Sequence, residues 1–186
     1  MKLRKTHSIA AFLVFLFSIL LLPPPSYALI ATVKGIVSKV SDGDTLHVIT
    51  EKGKDLKIKL YGCDAPEIEK RNKRTGQITI PGQPYSEEAK QALKKMIYKK
   101  RVRVDIIDIG RHHWMASLIW LKKRCINLEM VREGYAEAYR ERLKQPYYAE
   151  FSYTEQQAKF RKKGIWGLSN YERPSEFRKR LRIRGS

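Results

Sequence analysis

Leu56, Ile58 and Leu60 alternate with Lys57 and Lys59, and this two-residue period constrains the fold more than any other feature of the chain. It calls for an extended strand with one apolar and one charged face. Lys59 then points away from the side that Leu56, Ile58 and Leu60 share. Turn-forming stretches bracket the neighbouring strand at 45–50: Ser41-Asp42-Gly43-Asp44 before it and Glu51-Lys52-Gly53-Lys54-Asp55 after it. Residues 33–40 are rich in β-formers, and 102–108 and 115–121 alternate again.

Helical spacing appears at Ala89, Leu93, Met96 and Ile97. It predicts a helix over 86–98, with Ser86 as N-cap and Glu87 and Glu88 in the first turn. Asn127 is placed to cap a short helix ending at residue 133, with Gly134 as its stop. A last helix is expected over 150–163, closed by Gly164. Five strands, with one helix after the third and two after the fifth, predict a mainly β fold with helices. The architecture expected is a five-stranded barrel of the OB type with three α-helices, a format that handles nucleic acids and oligosaccharides.

Residues 1–28 stand apart. Lys2, Arg4 and Lys5 precede an apolar run over 10–22, then Pro23-Pro24-Pro25 and the small-x-small Ser26-Tyr27-Ala28. These are the marks of a secretory signal cleaved after Ala28, and the run is shorter than the ~20 residues a membrane span needs. The competing reading is an uncleaved anchor. An exported chain is secreted or periplasmic, where Cys63 and Cys125 meet oxidising conditions; pairing and two separate thiols both stay open. Lys and Arg number 38 against 19 Asp and Glu, a formal charge of +19. Such an excess predicts attraction to polyanions. Two cysteines and four histidines leave no room for a four-thiolate zinc site or a histidine cage. Residues 68–82 read as a loop carrying Lys70, Arg71, Lys73 and Arg74, and residues 172–186 as a basic tail.

Two acidic corners bear the chemistry. Asp42 and Asp44 flank Gly43 in a turn, and Asp64 and Glu67 flank Ala65-Pro66 where the third strand ends. Brought together on adjacent barrel strands, they form a hard oxygen site of the kind that favours Ca²⁺. A glutamate beside it could orient or deprotonate water. Read alone, the same segments are equally an ordinary turn and an ordinary strand exit.

Four segments in order add to this: Val40-Ser41-Asp42-Gly43-Asp44-Thr45, then 59–67 (KLYGCDAPE), then 127–136 (NLEMVREGYA), then Gly164-Ile165-Trp166. Together they resemble the staphylococcal nuclease-like (thermonuclease) family, over about 33–167. The resemblance implies a nuclease-like OB-fold domain over 29–171 and Ca²⁺-dependent hydrolysis of phosphodiester bonds in DNA and RNA. By position, Asp44 and Asp64 match the family's calcium-binding carboxylates, with the carbonyl of Ala65 nearby. Glu67 matches the water-activating glutamate, and Asp42 is a supporting acid.

The departures from the family pattern are as informative. Two arginines that grip the phosphate are replaced here by Lys59 and Trp114. Lysine keeps the charge but not the planar two-pronged donor; tryptophan keeps one N–H and no charge. Arg111 or His113 could substitute in part, Arg111 if its turn bends it inward, and Lys59 is the remaining cationic group expected to act in catalysis. Lys70, Arg71 and Tyr139 are expected to touch substrate, the last by stacking on bases as single-strand binders do. His112-His113 reads as a solvated turn, His47 as a surface or satisfied core residue, and Tyr135 as core. The leading expectation is an exported nuclease of low sequence specificity, monomeric, acting preferentially on single strands and weakened by these changes. The alternative is a catalytically inactive module on the same scaffold that binds nucleic acid or another polyanion.

Overall fold

The structure, a computed structural model, describes residues 29–110 and 114–184. The leader, Arg111 and His112-His113 lie outside the described residues. In chain order the strands are β1 (Ala31–Val40), β2 (Thr45–Thr50), β3 (Asp55–Leu60), β4 (Cys63–Asp64), β5 (Lys70–Arg71), β6 (Ile78–Ile80), β7 (Arg101–Ile109), β8 (Met115–Leu121), β9 (Arg124–Cys125) and β10 (Glu137–Ala138). The helices are α1 (Ser86–Ile97), between β6 and β7, α2 (Ile126–Arg132), α3 (Tyr147–Phe160) and α4 (Pro174–Arg184).

β1, β2 and β3 form an antiparallel meander, β1 also pairs with β7, and β7 pairs with β8. The barrel closes where β8 meets β3 in parallel, with Lys59 opposite Ala116 and Leu60 opposite Ser117. Five strands thus make the expected closed barrel, and the alternation that begins at Leu56 runs true. Leu56, Ile58 and Leu60 are buried while Lys57 stays in solvent. Leu46, Val48, Val104 and Ile119 join them inside, all fully buried. Each such side chain stabilises the fold by roughly 1.5–3 kcal/mol.

The helices cover the barrel. Ala89, Leu93 and Ile97 of α1 and Ile126, Met130 and Val131 of α2 are fully buried. Ser86 is the first helical residue rather than the cap, a position held by Tyr85 in the left-handed region with no side-chain capping bond. Asn127 does not cap α2 either. It is fully buried one residue inside the helix, and its Nδ2 donates to the carbonyls of Tyr61 and Ser117, both at 2.9 Å. Its Oδ1 accepts the Ile119 N–H at 2.8 Å. One amide therefore ties the barrel seam, where β3 ends beside β8, to α2. A backbone group left unpaired there would cost about 1–3 kcal/mol.

Gly134 ends α2 at φ 70° and Gly164 follows α3 at φ 52°. Their backbones touch, with Ile165 N–H donating to the Gly134 carbonyl at 2.9 Å. A Cβ on either would lie 2.1 Å from a backbone oxygen of the other segment, so both positions require glycine. Residues 68–82 are more ordered than a loop: β5 and β6 pair as a short hairpin. Residues 174–184, expected as a basic tail, are helical, so α4 is a fourth helix beside the three predicted. Among the described residues no helix is long and apolar enough to cross a membrane. Cys63 and Cys125 are free thiols, and Cys63 donates to the Asn127 carbonyl at 3.3 Å.

Candidate active site

The two acidic corners meet. Asp44 Oδ2 accepts the backbone N–H of Ala65 at 3.1 Å, which joins the β1–β2 turn to the residue after Asp64. Gly43 makes this approach feasible. A Cβ there would lie 2.7 Å from Ala65 Cβ and 2.9 Å from Ala89 Cβ of α1, closer than carbon atoms pack. Glycine between the two aspartates is thus a packing requirement as well as a turn residue. Asp42 Oδ1 in turn accepts the Asp44 N–H at 3.1 Å.

Lys59 reaches this corner from β3, its Nζ 2.8 and 3.0 Å from the two oxygens of Asp44. Burial opposes the Asp44 charge, but the Lys59 ammonium and the bonds from Asp42, Lys59 and Ala65 outweigh it and hold the carboxyl below its usual range. Burial also opposes the lysine charge, and Asp44, Asp64 and Asp42 around it hold Lys59 above its usual range. Asp42 goes the other way. Burial, and then the adjacent Asp44 carboxylate, push it up to about 7. Asp42 therefore takes up a proton more readily than Asp44 does.

Asp64 is fully buried, and an unexpected residue holds it. Arg178 of α4 donates from Nη1 and Nη2 to both Asp64 oxygens at 2.9 and 2.8 Å, and Nη1 also donates to Glu67 Oε1 at 2.8 Å. Burial raises the Asp64 carboxyl above its usual range despite the bonds from Arg178. Glu67 is thus one guanidinium nitrogen away from Asp64. Its backbone N–H donates to Gln83 Oε1 at 3.0 Å, and Gln83 Nε2 donates to the Glu172 carbonyl at 3.0 Å.

The clefts around this centre are open and lined by cations and aromatics. One of about 310 Å³ runs past Lys59, Trp114, Tyr139, Arg142 and Arg178. Another of about 580 Å³ runs past Asp42, Lys59, Glu67, Lys70 and Trp114. This constellation of a barrel corner, an Asp-Ala-Pro-Glu exit and a buried helix asparagine agrees with the comparison to known families, in which the model for staphylococcal nuclease homologues matches residues 57–168.

The chain belongs to the staphylococcal nuclease family.

It is 31% identical to an uncharacterized endonuclease of Haemophilus influenzae over 147 residues, covering 79% of this chain and 74% of that protein. It is 31% identical to a thermonuclease of Staphylococcus hyicus over 132 residues, covering 70% and 73%. It is 29% identical to protein ParB of Escherichia coli over 173 residues, covering 87% and 86%.

Within this family member, Asp42, Asp44, Lys59, Asp64, Ala65 and Glu67 come together as the sequence suggested. Lys70 borders the site, its Nζ 3.8 Å from Glu67 Oε2, and Tyr139 and Trp114 border the same cleft as Lys59. Arg71 is not brought in: it turns to Glu69 Oε1 at 2.6 Å and the Gly76 carbonyl at 3.1 Å, because the β5–β6 hairpin folds its side chain back on itself. Arg111 lies outside the described residues. His47 pairs with Asp55 across β2 and β3 at 3.1 Å, and Tyr135 is half-buried, stacked on Tyr85.

Sequence reasoning missed Arg142 and Gln83, and it read Arg178 only as part of a basic tail able to grip phosphate backbone, not as a residue seated on Asp64. A signal for Arg178 exists. Pro174 suits the first turn of a helix, Glu176 its N-terminal end, and Phe177 and Leu181 sit four apart. The density of arginines hid that pattern.

Proposed function

We propose that this chain is an exported, calcium-dependent nuclease that hydrolyses phosphodiester bonds of DNA and RNA with low sequence specificity. The observation that carries the reading is the bond from Ala65 N–H to Asp44 Oδ2, which sets the two acidic corners side by side next to Glu67 and Lys59. Nuclease-named relatives of similar length support it.

The donor set suits a hard divalent cation. Asp44 and Asp64 offer carboxylate oxygens, with the Ala65 backbone beside them. Oxygen donors with water completing the shell are what Ca²⁺ takes. Among the described residues no group of three or more His, Cys, Asp or Glu side chains is arranged as a ready metal cage; Lys59 and Arg178 now occupy the carboxylate oxygens. When bound, the ion would polarise the phosphate and stabilise its developing charge.

The protein groups do the rest. Glu67, with its backbone held by Gln83, accepts a proton from water as the water oxygen bonds to phosphorus and an ester oxygen leaves and takes up a proton. Lys59 contributes one positive contact to the phosphate. Lys70 and Tyr139 line the approach, where a phosphate track and an aromatic face favour single strands. Lys59 and Trp114 stand where the family pattern has arginines, and this weakens turnover. Residues 1–28 direct export, and the mature chain acts as a monomer without membrane insertion.

The test is cleavage of heat-denatured DNA by the mature protein with Ca²⁺ and with chelator. Cutting that stops on chelation is expected; no cutting at micromolar protein over hours leaves a nucleic-acid-binding module on a nuclease scaffold. That second reading is favoured by Trp114 and by the guanidinium seated on Asp64. N-terminal sequencing of the exported product, expected to begin at Leu29, tests the leader.

A further inference from the structure

The geometry points to Arg178 as a phosphate-binding residue of the site, supplying from the C-terminal helix the two-pronged donor that positions 59 and 114 lack. The inference rests on the nuclease reading only for whose phosphate is bound.

Arg178 is built in rather than draped over the surface. Around it Phe177 is buried, Tyr171 donates to Glu137 at 3.0 Å and Arg173 donates to Glu137 at 2.9 Å. Arg180 pairs with Glu172 at 2.7 Å. The segment from 171 to 180 is thus pinned to the body at three points and braced within itself by the Arg180–Glu172 pair, and the guanidinium between them is set by the scaffold.

A guanidinium has five N–H groups in one plane. Three are used: Nη1 serves Asp64 and Glu67, and Nη2 serves Asp64. Among the described residues the Nε–H and the second Nη2–H carry no bond to protein. Those two lie side by side on one edge, a complete fork of the shape that grips two oxygens of a phosphate. The Arg178 side chain is 28% exposed and borders the cleft with Lys59, Trp114, Tyr139 and Arg142. It also borders a second cleft, of about 420 Å³, with Lys70 and Arg182. A fork held by two carboxylates needs no reorganisation to receive an anion.

The experiment is equilibrium binding of a short 5′-phosphorylated oligothymidylate to the mature protein in chelator, across a salt series. Lys123→Ala, on the turn after β8, sets the background for loss of one surface cation. Arg178→Ala is expected to weaken binding about tenfold or more beyond that background. It should also reduce the slope of log affinity against log salt by about 0.7. Arg178→Lys should restore the slope and only part of the affinity; if the alanine variant is unfolded by circular dichroism, this lysine variant alone decides. Binding as tight as the background variant, or tighter, would overturn the inference and leave Arg178 a plug on Asp64. No cleavage is required, so a parent that never cuts yet shows the Arg178 dependence sinks the nuclease reading alone. A parent that cuts with Arg178-independent binding sinks this inference alone.

Discussion

The β4–β10 ladder places Asp64 opposite Glu137, and each of the two buried acids is held by one arginine, but the charges gathered around them differ. Glu137 is one carboxylate facing Arg173 and the Tyr171 hydroxyl. Nearby, Glu155 of α3 is one carboxylate facing Arg140, Lys159 at 3.0 Å and the Ala138 N–H at 2.8 Å. On the other side Asp42, Asp44, Asp64 and Glu67 share Lys59, Arg178 and the more distant Lys70. Glu155 has more cations than charges to neutralise; the Asp64 side has fewer. A buried acid with surplus partners is a cross-link, whereas a buried acid cluster short of partners is a reserve of negative charge beside open clefts.

The sharpest break between the two comes from Glu67→Gln. Cleavage of denatured DNA should fall about 10²–10⁴-fold, the usual span for a lost general base, with unfolding free energy changed by no more than about 1 kcal/mol. A variant that cuts normally would place Glu67 among the cross-links. Glu155→Ala should do the reverse. It strands the buried Ala138 N–H and frees Arg140 and Lys159, and urea titration should show a loss of about 1–3 kcal/mol.

Next in size is the response to calcium. At about a hundred times its dissociation constant, Ca²⁺ should stabilise the parent by about 2.7 kcal/mol, read as a rise in melting temperature. Asp64→Asn should abolish the rise and Glu137→Gln should keep it; the opposite pattern would exchange the two roles.

How much of this was legible follows the same division. The barrel was readable because Leu56-Lys57-Ile58-Lys59-Leu60 states its faces locally. The Asp42–Asp44 and Asp64–Glu67 corners were readable as motifs, since turn and strand exit are local events. Asn127 was not: an asparagine before an apolar run looks like a cap, and only the tertiary fold offers it the carbonyls of Tyr61 and Ser117. Arg178 was hidden for the same reason, because its partners lie 111 and 114 residues away. Trp114 was placed at the site by the register of β8 against β3, a non-local pairing that the family pattern supplied and composition did not.

The smallest expected effect concerns the thiols. Burial pushes Cys125 up to about 11, and burial likewise raises Cys63. Raised thiols favour the protonated form, so alkylation of the native protein should be slow at pH 8 and accelerate as pH climbs toward 11, with both sites reacting quickly in denaturant. Fast labelling of both in the native state at pH 8 would contradict this burial.

Gln83 bridges the Glu67 amide to the Glu172 carbonyl, and so the two ends of the domain's function are mechanically yoked. A chain ending at Tyr171 would lose the anchor behind Glu67 and leave the buried Asp64 and Glu137 without Arg178 and Arg173, and such material would misrepresent the intact molecule.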